Sequence, residues 1–304
     1  MDKYKLIKET FETQTRIKVN SIYQIENVEN NTVFKVQTAA ESFIFKIYSS
    51  RDWPEDGKLM FVSKKLNEKN IPHAKILVFN RDDANFPNGY LIERCLPGMT
   101  ADRINLSVDE TISIYKKLAL LVSNVHKIKL TNYGYTGDGK PAGWNTFSEF
   151  MYDTFNEFIP NLVAHNIFKI ELETIGHRIY ENMKYCDKYP SVICHGDLSA
   201  KNILVNLDKI TLIDWDDVHS LCWIADIARL TLWMKLEYGE NNANIYRKIF
   251  IDNYKTEYNK NDYYEMEETL HIWYGFDYLN YFIGKPQFEK MKIILQNILD
   301  KFNM

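Results

Sequence analysis

The chain of 304 residues is long enough for two lobes, and its 45% hydrophobic and 26% charged residues are ordinary for a globular protein. A net charge of −4 excludes the basic footprint of a nucleic-acid binder, and no apolar run approaches the roughly 20 residues that span a bilayer. Cys95, Cys186, Cys194 and Cys222 show neither CxxC spacing nor a histidine at zinc spacing, so they read as free thiols of a reducing compartment.

The opening MDKYKLIKET is charged and lacks a signal-peptide stretch, so a soluble, cytoplasmic protein is expected. The first hundred residues then read as strands and turns broken by one helix. NTVFKVQT and ESFIFKIY are β-rich runs around Ala39 and Ala40, the pattern of a hairpin. A helix is expected from about Pro54 to Asn70. After Ile71 and Pro72 come two more β-like runs, AKILVF and GYLIERCL, joined by a polar loop, and Pro97–Gly98 breaks the chain.

Beyond Gly98 the texture is helical. Ser107 and Glu110 form an S-x-x-E capping box, followed by Ile114, Leu118, Leu121 and Val125 on one face. Trp144, Phe147, Met151, Phe155 and Phe158 repeat the pattern until Pro160. Further helices are expected over 175–186 and near 223–237, 242–257, 264–282 and 286–303. One stretch in this half is not helical: SVICHGDLSAKNILVNLDKITLIDWDD reads strand, polar loop, strand, turn, strand.

In that stretch the turn at 206–209 separates ILV from ITLI, so Val205 is expected to pair with Ile210 and Asn202 with Ile213. Asp214 then lies one step on, beside Asn202 at the hairpin mouth. An amide oxygen and a carboxylate together suit a hard cation such as Mg²⁺. Asp197, five residues before Asn202, offers a second carboxylate able to accept a hydroxyl proton. The three match a phosphoryl-transfer site, in which catalysis is mainly positioning and charge neutralisation.

HGDLSAKN at 195–202 resembles the HGDxxxxN loop of the aminoglycoside phosphotransferase and choline kinase superfamily. Ile213-Asp214-Trp215 resembles its metal-binding IDW segment, and Asp226-Ile227-Ala228 the DLA that follows. GWNTFSEF and LIERCLPG are similar to two further segments, the latter the hinge between lobes. The resemblance implies a bilobal, protein-kinase-like α+β fold: a small antiparallel-sheet lobe over 1–97 that binds nucleotide, and a mostly helical catalytic lobe over 98–304. It implies ATP or GTP with Mg²⁺ as cofactors, Asp197 as catalytic base, and Asn202 and Asp214 as metal ligands. His195 and Asp226 take structural roles. Lys46 in FIFKIY holds the position of the lysine that contacts nucleotide phosphates, and the hinge at Glu93 and Cys95 offers backbone hydrogen bonds to the purine.

Two features depart from that pattern. The loop expected to cover the phosphates, ENVENNTVF, is not glycine-rich, and Asn30 and Asn31 supply its turn, since Asn tolerates positive φ. The acidic partner of Lys46 is missing, because the helical position falls among apolar residues near Leu59, and Glu55 lies a turn too early.

A protein kinase would carry HRD, DFG and APE; here residues 215–225 alone separate Asp214 from Asp226, which leaves little room for a peptide, and a small-molecule acceptor is expected. The 261–280 segment carries Asp262, Glu265, Glu267, Glu268 and Asp277 with Trp273, Tyr274, Phe276 and Tyr278 and no Lys or Arg. Carboxylates and aromatic faces suit a cationic amine. Asp216 and Asp217, with Trp273, Tyr274 and Asp277, are the candidate acceptor residues. Aminoglycosides, choline- or ethanolamine-type alcohols and homoserine-type acceptors remain open, as do antibiotic resistance and oligomeric state. The alternative is a nucleotide-binding module that transfers nothing.

Overall fold

The computed structural model describes residues 2–26, 28, 30–136, 143–167 and 172–301. Contacts divide them into two compact units, the first holding residues 1–100 with Leu204–Asp217, and the second most of the remainder from Ala101 on.

The first unit is built on an antiparallel sheet. Its strands β1 (Ser21–Ile25), β2 (Thr32–Gln37), β3 (Ser42–Ile47), β4 (Ile76–Asn80) and β5 (Tyr90–Arg94) lie in the order β1-β2-β3-β5-β4. Alternation puts Phe34, Val36, Phe43 and Phe45 on one face, and this face meets a helix the sequence did not announce. Helix α1 (Lys3–Thr15) has low amphipathicity, yet Ile7 and Phe11 are fully buried and Phe11 packs on Phe43 at 5.1 Å. A few apolar contacts suffice once a sheet supplies the opposite wall. Helix α2 (Lys58–Glu68) carries Leu59, Val62 and Leu66 on its buried side.

In the second unit α3 (Val108–Val125) starts at the expected capping box of Ser107 and Glu110. Helix α4 (Phe147–Ala164) has a second box, Thr146 with Glu149. It begins after Trp144, whose backbone instead bridges Tyr133, and it runs through Pro160. Pro160 and Asn156 are both exposed, so water can satisfy the Asn156 carbonyl that proline's missing N–H leaves unbonded. Helix α5 (Leu172–Met183) and a 3₁₀ turn follow as expected.

The non-helical interruption is present. Strand β6 (Val192–Cys194) ends at the polar loop, and two further strands, Ile203–Asn206 and Lys209–Leu212, lie side by side. The first of these pairs with a short strand at Met99–Thr100. A strand at His219–Leu221 lies between β6 and Gly134–Tyr135, antiparallel to both. Next, α6 (Trp223–Asn253) holds the two helices expected, joined end to end. Gly239, at φ 72°, marks a kink inside it. Helices α7 (Asn261–Phe282) and α8 (Phe288–Lys301) complete the described chain, with Phe302 beyond it. The four cysteines are free, and Cys186, Cys194 and Cys222 are buried. Among the described residues no helix is long and apolar enough to cross a membrane.

Gly98 has φ 126°, and a Cβ there would collide with the carbonyl oxygen of Val205. Gly98→Ala should therefore cost ~1–3 kcal/mol from the backbone conformation alone. A lowered melting temperature checks this; an unchanged one contradicts the packing of the Met99–Thr100 strand.

Candidate active site

In the first unit, Phe43 and Phe45 face the aromatic core, so Ile44 and Lys46 point the other way. Lys46 opposes Leu91 and Ile44 opposes Glu93, which brings Lys46 and Glu93 to one face of the sheet. They line a recess with Val62, Leu66, Ile76 and Trp215. Lys46 is 7% exposed, and its ammonium donates to Asp214 Oδ1 at 2.7 Å and to Asp216 Oδ2 at 2.8 Å. Burial opposes the charge, but the two carboxylates outweigh it and hold the pKa well above its ordinary value.

The partner that α2 fails to offer Lys46 is thus supplied by the segment after Leu212. Glu55 pairs with Lys58 instead. Lys58, which sequence reasoning missed, is fully buried: its ammonium stands 3.6 Å from the Trp53 ring centre and donates to the Asp216 carbonyl at 3.2 Å. No sequence pattern distinguishes it from the other lysines. Asp216, expected on the acceptor side, belongs to this buried network, with the Tyr48 hydroxyl also donating to it at 3.4 Å. Asp217 is half-buried within the electrostatic reach of Lys58.

Asn30 adopts φ 63°, the positive value expected of it, and Asn31 Oδ1 accepts the Ser49 amide at 3.2 Å. At the end of β5 the amides of Arg94 and Cys95 donate to the carbonyls of Lys75 and Ser42, both at 2.9 Å. The Cys95 N–H is therefore engaged by the sheet, because β5 still pairs there.

In the second unit the loop after β6 hangs from one carboxylate. Asp226 accepts the amides of His195 at 2.8 Å and Gly196 at 3.0 Å, and His126 Nε2 lies 3.2 Å from it. Burial alone would raise the Asp226 pKa, but His126 and the loop's donors lower it. His195, wholly buried, takes the Asp197 amide on Nδ1 at 3.3 Å, a structural task. The Asn202 amide nitrogen donates to both the carbonyl and Oδ2 of Asp197, each at 2.8 Å. Lys201 Nζ is 3.2 Å from Asp197 Oδ2, and Arg229 Nη2 is 4.0 Å from Oδ1. Sequence reasoning missed Arg229 and His126; Arg229 follows the DLA-like segment directly, and that position was its only signal.

Of the 261–280 carboxylates, Asp262 is taken by Lys188 and Tyr189, and Glu267 by Arg247 and Tyr263. Asp277 joins the neighbourhood of Asp197 by accepting from Arg229 Nη1 at 3.2 Å. Tyr274 is buried with the Arg229 guanidinium 5.5 Å from its ring centre. Trp273 belongs to the core: it is 6% exposed, and its indole N–H donates to the Met151 carbonyl at 2.7 Å.

A sequence profile described as the phosphotransferase enzyme family matches residues 21–268. Solved structures match almost end to end. The chain is 13% identical to the aminoglycoside phosphotransferase APH(4)-Ia in ternary complex with ADP and hygromycin B, covering 99% of this chain and 98% of that one, with a TM-score of 0.63. It is 14% identical to a protein provisionally assigned as a fructosamine-3-kinase from Thermobifida fusca, with 97% and 98% covered and a TM-score of 0.67. It is 19% identical to Plasmodium vivax ethanolamine kinase, with 91% and 81% covered and a TM-score of 0.64. At these identities the likeness establishes the fold: an antiparallel-sheet N-terminal region and a helical C-terminal part in a kinase-like arrangement. No curated protein matches the chain significantly.

Burial raises the Glu93 carboxyl to about 7, with Lys46 opposing and Asp214 and Asp216 adding to the rise. The folded state then binds a proton that the unfolded state releases from about pH 4.5, so stability falls as pH rises from there to about 7. Glu93→Gln should flatten the melting temperature across that window in ligand-free protein; an unaltered slope would place the titration elsewhere.

Proposed function

This chain belongs to the phosphotransferase enzyme family, and we propose that it transfers the γ-phosphoryl group of ATP or GTP to a hydroxyl of a small, amine-bearing molecule. The observation that carries this reading is the fixed orientation of Asp197, held by Asn202 and by a loop suspended from Asp226.

Asp197 takes the proton from the acceptor hydroxyl as that oxygen bonds to the γ-phosphorus. The bond from γ-phosphorus to its bridging oxygen breaks, and the nucleoside diphosphate leaves with the electron pair. Lys46 serves the nucleotide phosphates, and the two carboxylates beside it keep it protonated for that purpose. Asn202 and Asp214 are hard oxygen donors of the kind Mg²⁺ takes. The Asn202 nitrogen is committed to Asp197, which leaves its Oδ1 as the atom for a cation. When bound, Mg²⁺ neutralises charge on the phosphate oxygens. An amine-bearing acceptor is supported by Asp277 and Tyr274 close to Asp197, and by likeness to an ethanolamine kinase.

Diphosphate release with Mg²⁺ and ATP or GTP, followed across aminoglycosides, choline, ethanolamine, homoserine and methylthioribose, tests the proposal. Stimulation by one acceptor is expected, with Asp197→Ala reducing it by ~10²–10⁴-fold. Lys46→Ala should weaken nucleotide binding in a direct titration. Nucleotide binding that no acceptor converts into release would favour a binding module without transfer.

A further inference from the structure

The surroundings of Asp197 carry more positive charge than a purely cationic acceptor calls for. Lys201 and Arg229 both stand within 4.0 Å of its carboxylate. The Arg229 side chain is 18% exposed and that of Asp277 25%, so their pair is largely screened from water but reachable. Two hydrogen-bond donors close by have no acceptor among the described residues: the Trp233 indole N–H and the Tyr278 hydroxyl. Tyr278 is 4% exposed, its ring centre lies 5.1 Å from the Arg229 guanidinium, and Trp233 packs against it. Buried donors without acceptors, on rings packed beside a guanidinium, suit anionic oxygen.

An acceptor bearing only an ammonium group would reach Asp277 by displacing Arg229. That would take from a mostly buried guanidinium the nearer of the two carboxylates it faces, Asp277 at 3.2 Å against Asp197 at 4.0 Å, which is unfavourable. A molecule carrying both signs has no such difficulty, because it replaces each half of the pair it opens.

We propose that the acceptor is a zwitterion, a hydroxylated amino acid or close analogue, whose carboxylate sits on Arg229 and whose ammonium sits on Asp277. The Trp233 and Tyr278 donors complete the carboxylate's hydrogen bonds, and the planar Arg229 fork suits its two oxygens. The acceptor hydroxyl then falls to Asp197. This inference rests on the phosphotransfer reading only in taking Asp197 as the base. Arg229 and Asp277 become the specificity-determining residues.

The test uses hydroxylated α- and β-amino acids, each matched with its decarboxylated amine and its deaminated hydroxy acid. Calorimetric titration of the full chain reads binding without any need for turnover, and diphosphate release reads transfer. Amino acids should bind at least tenfold more tightly than either matched partner. Arg229→Gln should raise KM for the amino acid at least tenfold with a smaller change in kcat, and Arg229→Lys should restore part of it. Should Arg229→Gln fail to fold, the wild-type comparison decides alone. The proposal is overturned if an amine binds as well as its amino acid, if no amino acid binds, or if Arg229→Gln leaves KM unchanged. Amino acids that bind without any diphosphate release would leave the zwitterion site standing and overturn phosphotransfer instead.

Discussion

The helical unit is organised around one buried carboxylate. Asp226 is 1% exposed and accepts two consecutive backbone amides from the loop that carries Asp197, while His126 closes the arrangement from the end of α3. Hydrogen bonds to a charged group are worth ~1.5–3 kcal/mol each, enough to hold a loop whose Gly196 sits at φ 79°. His126 is fixed in turn by the Tyr254 hydroxyl, at the far end of α6. The position of the Asp197 carboxylate thus depends on α3, both ends of α6 and the end of β6.

The sheet unit solves the opposite electrostatic problem, a buried cation. Lys46 is surrounded by apolar strands and by α2, and two acidic residues from one short turn keep it charged. That turn is fastened from the other side by Lys58 through a backbone carbonyl and by Tyr48 through a hydroxyl. The missing helical glutamate is therefore a relocation of negative charge, and the recess around Lys46 gains an apolar wall of Leu59, Val62 and Leu66 in its place.

Features with a local cause were legible in the sequence. The capping box at Ser107, the hairpin carrying Lys46, the positive φ of Asn30 and the strand-loop-strand interruption around Asp197 each follow from a few neighbouring residues. Features set by distant partners were not. Helix α1 is helical because a sheet waits for Ile7 and Phe11, and α4 passes Pro160 because that turn faces water. Asp216 reads as an acceptor residue until the fold brings Lys46 beside it, and Trp273 as a pocket wall until Met151 takes its N–H. Lys58, His126 and Arg229 owe their importance entirely to tertiary neighbours.

Asp226 and Arg229 stand three residues apart in the first turns of α6, one anchoring the loop and the other facing Asp277. Any shift of that helix would disturb both at once, so divergence among descendants of this protein has little freedom in the backbone here. In the acceptor site proposed above, a change of substrate would then come from exchanging side chains at 229 on α6 and 277 on α7, with Asp226 still holding its loop. The first turns of α6 separate what selection must preserve from what it may rewrite.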